Sequence, residues 1–279
     1  MQRITANGLT FDVDDSGEQD REAVLLLHGF PQDRTSWDEI AASLRDAGYR
    51  TIAFDQRGYS AGARPSAVSD YKQGEIVADA LALLDELDVE RAHIVGHDWG
   101  GAVAWGLGSS APDRVLSLTV LSTPYPGAMK AVALKSTQLL NSWYMGMFQI
   151  PVFSEAVLTT SGPFWKAVMK GLPPKAKEHY TQRARQPGAM TAMLRWYRAL
   201  PLDLARPSVD WHRITVPTLY LWGDRDPALG RAAADATADF VTGDYTFVVL
   251  PGVGHWIPES VPNQVSEALL AHLERNPAS

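Results

Sequence analysis

Gly96-His97-Asp98-Trp99-Gly100-Gly101 joins a short apolar run, His93-Ile94-Val95, to a stretch of helical character over residues 102–109. Glycines stand two places before and two places after Asp98. That spacing suits a sharp strand-to-helix turn: crowding beside the middle residue is relieved, and its side chain stands free beyond the strand, where it can act as a nucleophile. Aspartate ahead of a helix is also a favoured N-cap. The rest of the chain has to decide between the two readings.

Working outward, Val24-Leu25-Leu26-Leu27 ends at His28-Gly29, and Thr51-Ile52-Ala53-Phe54 ends at Asp55. These runs are too short for helices and too continuous for half-exposed strands, so they predict buried parallel strands. Helical periodicity fills residues 37–48 and 73–87, where Ile76, Ala80, Leu83 and Leu87 recur at three- and four-residue steps. Residues 116–121, 218–222 and 245–250 predict three further strands, and 265–273 a closing helix. Residues 2–5 and 9–13 predict an opening hairpin around Asn7-Gly8. Strand alternating with helix predicts an α/β fold with a doubly wound, mostly parallel sheet.

From about residue 125 to 207 the alternation stops. Met, Trp, Tyr and Phe are plentiful there, and prolines recur at Pro151, Pro163, Pro173, Pro174 and Pro187. This region is predicted to be a helical lid inserted between strands. The expected organisation is core over 1–124, cap over 125–208 and core again over 209–279.

Two more residues follow late strands. Asp226 ends the segment Leu219-Tyr220-Leu221-Trp222-Gly223-Asp224-Arg225-Asp226, and His255 lies in Gly252-Val253-Gly254-His255-Trp256. Groups beyond the carboxyl ends of strands in an open α/β sheet meet in one crevice. Asp98, Asp226 and His255 thus follow one another as nucleophile, acid and base, an order that favours the nucleophile reading of Asp98. Asp224 reads as a turn residue and His97 as a structural one.

Composition narrows the function. The 279 residues carry 25 Lys and Arg against 32 Asp and Glu, a net charge of −7, with no basic run to follow a phosphate backbone, so nucleic acid is not an expected partner. Cysteine is absent, which excludes disulfides, thiolate metal sites and cysteine nucleophiles. No His and carboxylate cluster has metal-ligand spacing, so neither metal nor cofactor is expected. The first residues lack a secretory apolar stretch, and no segment offers about 18 consecutive apolar residues to span a bilayer. The expectation is a cytoplasmic protein without a membrane partner.

Taken together, these motifs resemble the epoxide hydrolases, α/β-hydrolases closely related to the haloalkane dehalogenases, over essentially the whole chain. His28-Gly29-Phe30-Pro31 is similar to the oxyanion motif of that family, and residues 96–101 to its nucleophile turn. The resemblance implies an α/β-hydrolase fold with oxyanion donors at the backbone N–H groups of Phe30 and Trp99. Ser142-Trp143-Tyr144 upstream of Phe148-Gln149, and Arg195-Trp196-Tyr197-Arg198, are similar to the two family segments that carry lid tyrosines, which implies Tyr144 and Tyr197. Gly58-Tyr59-Ser60-Ala61-Gly62 departs from the pattern, ending in Gly where the family commonly has Ser or Thr. Pro31 predicts a fixed peptide after Phe30, with either isomer open.

An aspartate nucleophile selects the chemistry. A serine that attacks a saturated carbon ends as a stable ether, whereas a carboxylate becomes an ester that water can cleave. His255, neutral for that step, would activate the water, with Asp226 orienting its ring. An opened epoxide leaves a tethered alkoxide that needs hydroxyl donors, the role implied for Tyr144 and Tyr197. Nearby Tyr125 and Tyr180 have weaker context.

Haloalkane dehalogenation is the alternative. A halide wants N–H donors, for which Trp99, Trp143, Trp196 and Trp256 are candidates. Phe30, where dehalogenases commonly carry a polar residue, and His97 before the nucleophile favour the epoxide hydrolase. A third reading, a non-catalytic receptor or scaffold, predicts a broken triad, and all three members are present. The apolar lid suggests a pocket for a small hydrophobic epoxide and water, with Trp143, Phe148, Trp196 and Trp256 as substrate-binding side chains.

Overall fold

The computed structural model describes residues 1–16, 19–133, 143–160 and 162–278. The apolar runs become strands β1 (Gln2–Ala6), β2 (Leu9–Asp15), β3 (Ala23–Leu27), β4 (Arg50–Phe54), β5 (Ala92–His97), β6 (Val115–Leu121), β7 (Thr218–Gly223) and β8 (Tyr245–Leu250). They form one eight-stranded sheet in the order β1-β2-β4-β3-β5-β6-β7-β8. The opening hairpin is antiparallel and joins β4 antiparallel; every pairing from β4 onward is parallel.

Every residue of β3, β4, β5, β6 and β7 is buried, which is why these strands read as continuous apolar runs. Successive residues still face opposite layers: Val24 and Leu26 join one hydrophobic cluster, Leu25 and Leu27 the other. Helices α1 (Asp38–Asp46), α2 (Gln73–Glu86) and α3 (Trp99–Ser110) cover the two faces. The expected helix over 37–48 is preceded by a 3₁₀ turn, Arg34–Trp37, capped by Asp33. α3 begins earlier than the apolar pattern suggested, because the Ala102 N–H already bonds the Asp98 carbonyl.

Between β6 and β7 lie α4 (Pro126–Val132), α5 (Trp143–Phe148), α6 (Phe153–Thr159), α7 (Pro163–Val168), α8 (Pro174–Ala184) and α9 (Ala189–Ala205). Pro126, Pro163 and Pro174 start their helices, where the missing N–H costs nothing. α10 (Arg231–Ala236), α11 (Ile257–Ser260) and α12 (Pro262–Glu274) complete the chain. α4 packs on α10, on the sheet side. The later helices are pinned across the sheet's carboxyl edge: His179 and Arg183 of α8 pair with Asp33, Arg183 also with Asp55, and Trp196 Nε1 of α9 donates to the Arg57 carbonyl at 2.7 Å.

The departure at Gly62 has a packing cause. A β-carbon there would lie 2.7 Å from the Thr10 carbonyl oxygen, so the loop passes too close to β2 for Ser or Thr. Ser142 lies outside the described residues. Among the described residues, no helix is long and apolar enough to cross a membrane.

Candidate active site

Beyond their carboxyl ends, β3 leads to Phe30, β5 to Asp98, β7 to Asp226 and β8 to His255. These four strands are linked through parallel pairings by way of β6, so the groups that follow them converge. Asp98 has φ +52° and ψ −119°, a left-handed conformation that costs energy for a residue with a side chain. The flanking glycines make the turn possible. A side chain at Gly96 would strike the Gly100 backbone, and one at Gly100 the Leu27 backbone. Asp98 makes no side-chain cap bond to α3, so the N-cap reading fails. Its carboxylate faces the crevice instead.

There Asp98 Oδ1 accepts the Phe30 N–H at 2.8 Å, and Oδ2 lies 3.4 Å from His255 Nε2. The Phe30–Pro31 peptide is cis. His255 Nδ1 lies 2.8 Å from Oδ2 of Asp226, whose Oδ1 accepts the N–H groups of Ala228 and Leu229 at 2.8 and 3.0 Å. Trp99 is the first residue of α3, where helical N–H groups have no carbonyl four residues back. Asp224 Oδ1 accepts the Gly252 N–H, a turn role.

The charges are coupled. Burial lowers the proton affinity of His255, but the charges and hydrogen bonds of Asp226 and Asp98 outweigh it and hold its pKa well above the ordinary value. Burial raises Asp98, yet the hydrogen bond and charge of His255, with lesser help from His97 and the Phe30 N–H, leave it below the usual range. The resting site is therefore an ion pair flanked by Asp226. The sequence reading, by contrast, calls for a neutral His255 in its hydrolytic step.

A cavity of about 810 Å³ opens over these groups and includes Phe30, Asp98, Tyr144, Phe148, Tyr197 and His255 in its walls. Tyr197 packs by ring edges against Phe30, Phe148 and Trp99 at 5.3, 4.8 and 5.0 Å, and its ring lies 6.3 Å from that of Tyr144. Burial, then the Asp98 charge, raises the pKa of both tyrosines, so both hydroxyls keep their protons.

Of the expected pocket residues, Trp143 lies at the rim, 61% exposed, and Phe148 and Trp256 are walls. Trp196 does not reach the cavity: it is buried against Tyr59 and Trp99 with its indole N–H spent on Arg57. Tyr125 and Tyr180 also lie elsewhere, their hydroxyls donating to the His212 carbonyl and to Glu259. Among the described residues, no three or more metal-binding side chains form a group that could hold an ion.

Sequence reasoning missed a row of buried polar groups beneath His255. His97 bridges Gln32 and the His255 carbonyl, and Gln32 also meets Gly29 and Glu259. Ser122 Oγ adds a second bond to the same carbonyl at 3.1 Å. Gln32 directly follows the His28-to-Pro31 motif, a usable signal; Glu259 offered none.

Comparison with known proteins came to the same group. A family profile described as alpha/beta hydrolase fold matches residues 22–260. The chain is 35% identical to the AB hydrolase superfamily protein YfhM of Bacillus subtilis, over 98% of this chain and 97% of that one. It is 31% identical to Epoxide hydrolase A of Mycobacterium tuberculosis, over 97% and 96%. Among solved structures it is similar to Epoxide Hydrolase A from Mycobacterium thermoresistibile, with TM-score 0.82, 29% identity and coverage of 100% and 99%. It is also similar to an epoxide hydrolase variant from Bacillus megaterium complexed with its product, a naphthyloxy-propane-diol, with TM-score 0.86, 25% identity and coverage of 98% and 100%.

Proposed function

The chain belongs to the α/β-hydrolase fold family and, within it, to the epoxide hydrolases, and from that premise we propose that it converts a hydrophobic epoxide to a vicinal diol through a covalent ester on Asp98. The span 125–208 acts as the cap over the core of 1–124 and 209–279. Asp98 Oδ1 is engaged by the Phe30 N–H, so Oδ2 is the attacking oxygen. Its bond to a ring carbon forms as the ring C–O bond breaks, and Tyr144 and Tyr197 donate to the oxygen released.

Proton bookkeeping closes over two steps. The opened ring gains one proton overall, balanced by the one His255 holds at rest. Esterification removes the Asp98 charge, which lowers the proton affinity of His255 and makes both tyrosines better donors. Neutral His255, oriented by Asp226, then takes a proton from water as it attacks the Asp98 carbonyl carbon. The N–H groups of Phe30 and Trp99 receive the oxyanion. Collapse breaks the bond between that carbon and the alkyl oxygen, which takes the remaining proton of the added water oxygen, so that the diol is released, Asp98 is again a carboxylate and His255 again holds its proton.

The observation that carries this reading is the pair of protonated tyrosines sharing an apolar cavity with Asp98. The halide alternative has too few free donors: Trp196 Nε1 is bonded to Arg57, Trp256 Nε1 to the Lys170 carbonyl at 2.9 Å, and the Trp99 side chain to Tyr197. Styrene oxide and 1-bromobutane offered together test it. Diol without bromide is expected, and bromide without diol overturns it.

A further inference from the structure

Charge is divided unevenly along the chain. Residues 125–208 hold 11 Lys and Arg against 3 Asp and Glu, a net +8, which leaves 14 against 29, a net −15, for the rest. The arginines of this span are largely spent inward: Arg183 pairs with Asp33 and Asp55, Arg198 with Glu155, and Arg195 donates to the Pro65 carbonyl. The lysines are not. Lys166, Lys170 and Lys175 are exposed and Lys177 is partly buried. Among the described residues, none of these four has a carboxylate within ion-pairing distance. Glu178 is the one acid within residues 163–182.

The four lysines stand on α7, on the start of α8 and on the turn between them, and that turn borders the cavity. Phe164, Ala167, Val168 and Lys170 belong to its walls. Trp143 on α5 packs by its ring edge on Phe164 at 5.8 Å, yet is 61% exposed at the rim. The same span shows solvent four consecutive apolar residues, Ile150 to Phe153, with Val152 79% exposed. Exposed apolar residues in a row mark a surface that meets something other than water.

From this pairing of unneutralised lysines with exposed apolar side chains at the cavity rim, we propose that the face made by α7, the start of α8 and Trp143 docks on an anionic lipid surface, with the cavity mouth toward the bilayer. Lysines beside such a surface are attracted to its negative potential, and a tryptophan is favoured at the level of the lipid headgroups. The net charge of −7 does not oppose this. With the two signs segregated, the molecule's own dipole turns the basic side toward the lipid, and salt screens carboxylates more than about 10 Å away. The lack of a spanning helix among the described residues bears on crossing a bilayer, whereas a face that lies against one needs no such helix. Docking would set the apolar cavity beside the phase in which a hydrophobic epoxide concentrates, a consequence that rests on the proposed function.

Flotation of the full chain with lipid vesicles is the test. In low salt the protein should bind vesicles of phosphatidylcholine mixed with phosphatidylglycerol but not vesicles of phosphatidylcholine alone. Salt at about 1 M, where screening acts within about 3 Å, should release it. The triple variant Lys166→Glu, Lys175→Glu, Lys177→Glu should bind the anionic vesicles about a hundredfold more weakly, since each lysine beside such a surface is worth about fivefold. Its turnover of dissolved styrene oxide should stay unchanged. No binding by the unaltered protein, or equal binding to the two kinds of vesicle, overturns the proposal whatever the variant does. So does a triple variant that binds as the unaltered protein does. A low-salt dimer that the triple variant dissolves, without vesicle binding, would assign these lysines to the acidic part of a second copy and overturn it as well. Flotation needs no turnover, so its failure is distinct from failure of the epoxide reading.

Discussion

On the sheet side of the cavity, Asp98, Asp226 and His255 hang from loops whose own backbone is tied down. The Asp98 carbonyl accepts both Ala102 N–H and Thr123 Oγ1, and the His255 carbonyl contacts His97 and Ser122. Across the cavity, on the helices between β6 and β7, Tyr144 and Tyr197 are held mainly by the edges of other rings, Phe148 among them, with the Trp99 side chain also bonded to Tyr197. Hydrogen bonds fix direction at short range, whereas ring packing fixes position and leaves a hydroxyl more latitude. In the proposed mechanism the side that aims a nucleophile and a base is the hydrogen-bonded one, and the side that receives the leaving oxygen is the packed one.

Altering the hydrogen-bonded side should do the greater damage. In His255→Gln, ester hydrolysis should slow on the order of 10³-fold while alkylation survives. Mass spectrometry of the digested protein should then find a substrate-sized adduct on the peptide containing Asp98. An adduct elsewhere would remove Asp98 from the mechanism.

Altering the packed side should be graded. Tyr144→Phe and Tyr197→Phe should each slow ring opening roughly tenfold, and the double change about 10³-fold, because either hydroxyl partly covers for the other. Single-turnover kinetics with an epoxide would measure this. Unchanged rates in the double variant would leave the lid without a chemical role.

Acidity should divide the two sides as well. His255 has a raised proton affinity at rest and a lower one once Asp98 is esterified, so the ester's hydrolysis should fall about tenfold per pH unit below that lowered value. Alkylation relies on an Asp98 already held below the usual carboxylate range and should persist. Quenched-flow sampling should find the ester fraction rising as pH falls; a rise toward alkaline pH would reverse the assignment.

The smallest effect is expected at Trp196. Trp196→Phe orphans the Arg57 carbonyl and should cost about 1–3 kcal/mol of stability in denaturant titration, yet change kcat by less than about twofold. A large loss of kcat at unchanged stability would return Trp196 to the pocket.

The same contrast explains what could be read from the chain alone. Asp98, Asp226 and His255 were legible because glycines and strand ends fix them locally: Gly96 and Gly100 are demanded by backbone contacts, and the apolar runs before Asp98 and Asp226 are buried strands. Tyr144 and Tyr197 were found only by resemblance, since no local rule separates a lid tyrosine from a packing one. Trp196 was misplaced for that reason. It shares α9 with Tyr197, and the neighbouring position turns its indole toward Arg57 instead of the cavity. Glu259 was invisible because its partners, Gln32 and Tyr180, are 227 and 79 residues away.

The central claim, that Asp98 bonds covalently to the substrate, is tested most directly by one turnover of excess enzyme in water enriched in ¹⁸O. Water attacks the carbon of the Asp98 ester, so the heavy oxygen should stay on Asp98 and the first diol should carry none of it. Heavy oxygen in that first diol, with Asp98 unlabelled, would mean that water attacked the epoxide directly.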